Sequence, residues 1–216
     1  MLVGAALAWL RLVPGLVGFA LFALGGLVCV VAAAAAIVGL VRGRGLRPGG
    51  LVAIAAAGLL IASARRGAGL PRINDFTTDL ADPPAFTHAA TLAPNVGRPL
   101  AYDPAFAAEQ RACCADLQPV RLAMAPAEAF PRAKATAGEM PSWVVTFADP
   151  ATGLIEAVAT TAVFGFQDDI VIRVRPDAGG QGSVVDMRSK SRDGKGDLGA
   201  NANRIRAFVA RLGQGG

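Results

Sequence analysis

The first 72 residues contain no aspartate or glutamate, and the chain of 216 residues as a whole is only 17% charged. A soluble domain carries about 25% charged residues, so the N-terminal third is not the surface of an ordinary soluble enzyme. Histidine occurs once, as His88, and cysteine three times, as Cys29 and the adjacent Cys113 and Cys114. A single histidine confines any Ser-His-Asp or Cys-His pair to the stretch THAAT, and no G-x-S-x-G elbow accompanies it. Three cysteines so placed make no disulfide framework. A bridge between neighbours is disfavoured, because adjacent Cα atoms lie about 3.8 Å apart while ordinary bridges span about 4.4–6.8 Å. Cys113 and Cys114 are therefore expected as small, partly buried thiols. Their spacing also differs from the C-x-x-C that lets two sulfurs reach one zinc ion. Gly194-Lys195-Gly196 lacks the rest of a phosphate-binding loop, and no cofactor is expected.

The charge that is present is unevenly placed. Seven arginines (11, 42, 44, 47, 65, 66, 72) stand in the acid-free segment, which is +7, while the remaining 144 residues hold 14 basic and 16 acidic side chains and are −2. The net +5 is therefore not a nucleic-acid-binding surface, which needs Lys and Arg clustered on a folded domain. Residues 12–41 are uncharged throughout, and as a helix they would reach about 45 Å, against about 30 Å for a bilayer core. A second uncharged run, residues 48–64, is at the lower limit for a span. Two transmembrane helices over about 15–41 and 48–64 form a hairpin joined by RGRGLRP, with Met1–Leu10 in the interface or extending the first helix. Gly25, Cys29 and Ala33 in the first run and Ala53 and Ala57 in the second recur every four positions, a spacing that lets helices approach closely in lipid. The loop arginines favour a cytoplasmic loop and a periplasmic C-terminal domain on the inner membrane of a bacterium.

Residues 69–122 read as an irregular Pro- and Asp-rich arm with apolar anchors (Ile73, Phe76, Phe86, Leu100, Tyr102, Phe106) and a short helix near Pro104–Ala112. Residues 123–216 read as a two-layer α+β domain, a four-stranded antiparallel meander flanked by two helices in the order α-β-β-β-β-α. In SWVVTF the alternation places Trp143, Val145 and Phe147 on one face. Ile170, Ile172, Val174, Val185 and Met187 fall on the helix side, leaving Glu156, Arg173, Arg175, Asp186 and Arg188 on a solvated face with cross-strand ion pairs. In the last helix Asp197 is the N-cap, Leu198, Ala202, Ile205, Phe208, Val209 and Leu212 form the apolar stripe, and Gly213 is the stop.

Three blocks in this order, INDFTTDLADPPAF, TTAVFGFQDDIVIRVRP and RSKSRDGKGDLGANANRIRAF, resemble the uncharacterised family named domain of unknown function 1499, over about residues 71–212. The chain departs from the family pattern at Asn74, at Cys113 and Cys114, and at Pro131. The resemblance implies the α+β fold and the N-terminal membrane helices, and it implies no chemistry.

Few residues are candidates for a site. Asp75, Asp79 and Asp82, with Asn74 and Thr77, offer oxygen ligands but lack the glycine and bidentate glutamate of a calcium loop. Asp168 and Asp169 alternate faces and so do not form an acid and base pair. Phe164 and Phe166, flanking a glycine, and the cationic stretch from Asp186 to Arg211 are candidates for touching an anionic membrane surface. Asp197, Asn201 and Arg204 are candidates for contacting a ligand or partner. The chain is thus expected to be a membrane-anchored, non-enzymatic domain for a partner protein or a lipid-like ligand held between sheet and arm. The alternatives are a subunit held in a membrane complex by its helix hairpin, and an enzyme using the Asp-rich arm.

Overall fold

The computed structural model describes residues 1–67 and 69–214. The chain divides into two compact units, one comprising Met1–Gly69 with Thr161–Gly165 and the other Leu70–Thr160 with Phe166–Gly216. Among the described residues there are six α-helices and six strands.

The first unit holds α1 (Leu2–Trp9), α2 (Gly15–Val41) and α3 (Pro48–Gly67). By length and composition α2 and α3 are able to cross a bilayer. Their large side chains face outward, Leu27 being 61% and Leu59 70% exposed, which is the reverse of a soluble core helix. The expected α2–α3 seam is present at Ala33, Ala53 and Ala57, which bury one another. Gly25 does not belong to it. That glycine faces Met1, because residues 1–10 neither extend α2 nor stand apart from it. They form α1, and Arg11 at φ +59 reverses the chain so that α1 packs antiparallel on α2. Gly4 and Gly18 are required here, since a Cβ on either would collide with the facing backbone.

The second unit is built on a single antiparallel sheet of six strands rather than four. The meander is β3 (Trp143–Asp149), β4 (Leu154–Thr160), β5 (Gln167–Pro176) and β6 (Ser183–Ser191). The outer edge of β6 is covered by two three-residue strands from the arm, β1 (Asp75–Thr77) and β2 (Val120–Leu122). β1 pairs with Arg188–Lys190 and β2 with Ser183–Val185. A strand edge left bare would present unpaired N–H and C=O groups, and the arm supplies the missing partners. Gly153 closes the β3–β4 turn at φ +69, where a Cβ would strike the Val174 carbonyl.

Between β1 and β2 the arm makes two 3-10 turns and α4 (Phe106–Cys113), close to the helix read from sequence. α5 (Pro126–Gly138) and α6 (Ala200–Gln214) cover one sheet face. Their Ala129, Ala133, Ile205 and Phe208 pack on Ile155, Ile170, Ile172 and Met187, all fully buried. Pro131 sits inside α5, and lacking an N–H it leaves the Ala127 carbonyl without its usual donor. α6 passes through Gly213 to Gln214, and Leu198, at φ +54 and 75% exposed, stands outside the apolar stripe.

Two face assignments change. A bulge between Val145 and Phe147 puts Val145 opposite Ala157 but Phe147 opposite Glu156, so Phe147 turns to the arm side while Trp143 and Val145 stay with the helices. The face carrying Glu156, Asp186 and Arg188 is not solvated. These three side chains are at most 2% exposed, because the arm lies over them.

Candidate functional site

Folding the arm over a charged sheet face requires every charge there to find a partner, since a buried unpaired ion is far costlier than a buried apolar group. The pairing is complete along the sheet. Asp75 on β1 accepts from Arg188 Nε and Nη2 at 2.9 and 2.7 Å and from Lys190 Nζ at 2.9 Å. Arg188 also donates to the carbonyls of Pro84 and Leu100, and its guanidinium lies over the rings of Phe86 and Tyr102 at 4.8 and 5.5 Å. Asp186 binds Arg173 and Arg175, and these reach Asp79 and Asp82 in the arm. Asp169 holds Arg192 and receives Asn95 Nδ2. Glu156 accepts four hydrogen bonds from the arm, from Thr87 N and Oγ1, His88 N and Ala89 N. The arm acids singled out as possible oxygen ligands are thus acceptors for arginine and lysine.

Tyr102, the chain's single tyrosine, has a buried hydroxyl with no hydrogen-bond partner among the described residues. Burial, reinforced by the negative Asp75, pushes its pKa from 10.0 up to about 12. The folded state therefore favours the neutral phenol. The stability this contributes is fully present below about pH 10 and is lost as the pH rises towards about 12. Ultraviolet titration of the phenolate should show a midpoint near 12 in the folded chain and an ordinary one after unfolding. A folded-state midpoint near 10 would show that the arm does not enclose the ring.

On the helix side the structure brings together three of the five candidate residues. Asp197 Oδ1 accepts from Gly199 N and Oδ2 from Asn201 N at 2.8 and 2.7 Å, capping the entry to α6, and burial raises its pKa. Asn201, fully buried, accepts from Ser189 Oγ and Arg204 Nη1 and donates to Ser191 Oγ and the Asn74 carbonyl. Arg204 reaches Asp168 at 2.6 Å. All three side chains point into the protein, locking α6 to β6 and to the start of β1. Phe164 belongs to the unit of apolar helices and stands edge-on to Phe19 and Phe22, with ring centroids 5.3 and 5.7 Å away. Phe166 is half-buried in the other unit. His88 is half-buried and stacks on Phe147 at 5.2 Å. Cys113 and Cys114 are not separate thiols. They are joined as a vicinal disulfide where α4 ends, and Cys114 leaves the helix at φ −144.

An open concavity of about 680 Å³ lies at the N-terminal end of α5, between that helix, the β3–β4 turn and the end of β5. Phe130, Pro131, Pro150 and Val174 give it apolar walls, and Lys134 and Arg175 stand on its rim. Arg175 is engaged by Asp186 and Asp79, whereas Lys134 is exposed and has no ion-pair partner among the described residues. Sequence reading missed Lys134. Its signal was the i, i+4 spacing from Phe130, which places an ammonium beside an aromatic on one helix face.

A search among curated proteins and among solved structures found no match to this chain. Residues 75–212, which run from the first arm strand through the closing helix and make up well over half of the chain, match the family described as "Protein of unknown function (DUF1499)". The matched span includes Asp75, Glu156, Asp168, Arg188, Asn201 and Arg204, the residues that tie arm, sheet and α6 together, and the chain belongs to that family.

Proposed function

We propose that the protein is a binding domain held on the inner membrane of a bacterium by the α2–α3 hairpin, with the arginine-bearing loop in the cytoplasm and the sheet domain in the periplasm. We further infer that its ligand is an amphiphile with an acidic head and an apolar tail, taken into the α5 groove. The groove itself carries this reading. Its volume falls within the range of about 300–1,000 Å³ typical of small-molecule sites, its walls are apolar, and the unpaired charge on its rim is positive. The burial of Phe86, Glu156, Asp186 and Arg188 between sheet and arm favours the helix side of the sheet for the ligand.

A photoreactive palmitate incorporated into membranes containing the full chain tests the assignment. Crosslinks are expected on peptides covering 126–134 and 148–153. They should fall several-fold in Ala127→Trp, which fills the groove from an exposed position, and also in Lys134→Glu. Labelling confined to α2 and α3, unchanged by either substitution, would remove the lipid ligand. An active C-terminal alkaline phosphatase fusion is expected from the orientation, and an inactive one would reverse it.

A further inference from the structure

We propose that Cys113–Cys114 is a thiol-disulfide exchange site, cycling with a dithiol reductant and controlling how firmly α4 holds β1. A bridge between neighbours closes the smallest possible loop, so it restricts the unfolded chain least and contributes little to stability. Its position suits exchange instead. Cys113 is half-buried and is the more exposed of the two residues, the one for an attacking thiolate to meet, whereas Cys114 is 2% exposed and packed into the core. The dithiol state also has a place prepared for it. Cys113 Sγ lies 3.6 Å from the Gln110 carbonyl, which can accept the S–H, and that carbonyl already accepts the Cys114 N–H at 2.8 Å.

Gln110 is the link to the sheet. Its side chain is 1% exposed and grips Thr77 at both backbone groups, with Oε1 accepting from Thr77 N at 3.1 Å and Nε2 donating to Thr77 O at 2.6 Å. Thr77 lies two residues from Asp75, the partner of Arg188 and Lys190. The bridge holds the last turn of α4, and that turn carries the clamp on β1.

The chemistry balances as two exchanges. A donor thiolate attacks Cys113 Sγ, and Cys114 leaves as a thiolate that takes a proton. The donor's second thiol then attacks its own sulfur in the mixed disulfide and releases Cys113. Two electrons and two protons pass to the protein, and the donor becomes a disulfide.

Full chain in detergent, denatured and alkylated without reductant, should carry one maleimide on Cys29, and three after dithiothreitol. Amide exchange at Thr77 and Thr78 is expected to be roughly tenfold faster in the reduced protein. In Gln110→Leu this redox difference should vanish while the thiol count still changes. Three adducts before reduction and after mild reoxidation would overturn the proposal, as would exchange at β1 that is identical in both redox states of the wild-type chain.

Discussion

Arg188→Leu is expected to destabilise the sheet domain by about 3–5 kcal/mol, the range for breaking a buried ion pair by removing one partner. Thermal unfolding of the full chain in detergent, followed by the near-ultraviolet signal of the Trp143–Phe208 stack, measures it. The effect is large because Arg188 serves three functions at 2% exposure. It neutralises Asp75, satisfies the carbonyls of Pro84 and Leu100, and presents its flat face to Phe86 and Tyr102. Leucine fills some of the volume and none of the polar roles. Lys190 remains beside Asp75, so the carboxylate is not wholly abandoned, but its single ammonium cannot replace a two-point guanidinium contact. Natural domains have about 5–15 kcal/mol in all, so the variant should be partly unfolded at modest temperature. A loss below about 1 kcal/mol would mean that the Asp75 cluster does not hold the arm down.

Glu156→Ala should cost about 3 kcal/mol, because four hydrogen bonds to one carboxylate are lost together, each worth roughly 1.5–3 kcal/mol, while water reaching the exposed Thr87 and half-buried His88 offsets part of the loss. The side chain is fully buried and gathers the amides of Thr87, His88 and Ala89 at 2.6–3.0 Å, ordering a 3-10 turn that has no side-chain cap of its own. Glu156→Gln separates charge from geometry. One oxygen continues to accept from Thr87 and His88, while the new NH2 opposes the Ala89 N–H, so about half of the loss is expected. Chemical denaturation gives the magnitude, and faster exchange at the 87–89 amides locates it. Unchanged exchange there in the alanine variant would show that Glu156 is not what anchors the arm. The two substitutions act on adjacent stretches of the arm, Arg188 on Pro84 and Phe86 and Glu156 on Thr87–Ala89, so the double variant should depart from additivity.

These clusters also show how far local pattern reaches. The charge asymmetry and the uninterrupted apolar runs were sufficient to place α2 and α3, because a membrane-length helix is a property of contiguous residues. Strict alternation placed Ile170, Ile172, Val185 and Met187 with the helices, and they lie in the core. It failed at Phe147, where an extra residue in β3 reverses the phase without any glycine or proline to announce it. Asp197 was legible as the cap of α6, and Asn201 and Arg204 as polar candidates on that helix. Their inward direction was not, since their partners Ser189, Ser191 and Asp168 are on other strands.

Period-two spacing tells which residues share a face but not what covers that face. Glu156, Asp186 and Arg188 looked like a solvated stripe until the arm was seen to add β1 and β2 to the edge of β6 and to lie across them. Three-residue strands carry too little pattern to be read locally. What the sequence alone determined was the division into an apolar, arginine-flanked hairpin and an α+β domain, along with the one sheet face shared by Glu156, Asp186 and Arg188. Only the tertiary structure decided that those charges are buried, that the thiols of Cys113 and Cys114 are joined, and that the open groove lies beside α5. The reason is that burial depends on segments distant in the chain, such as Asp75 and Arg188, meeting in space.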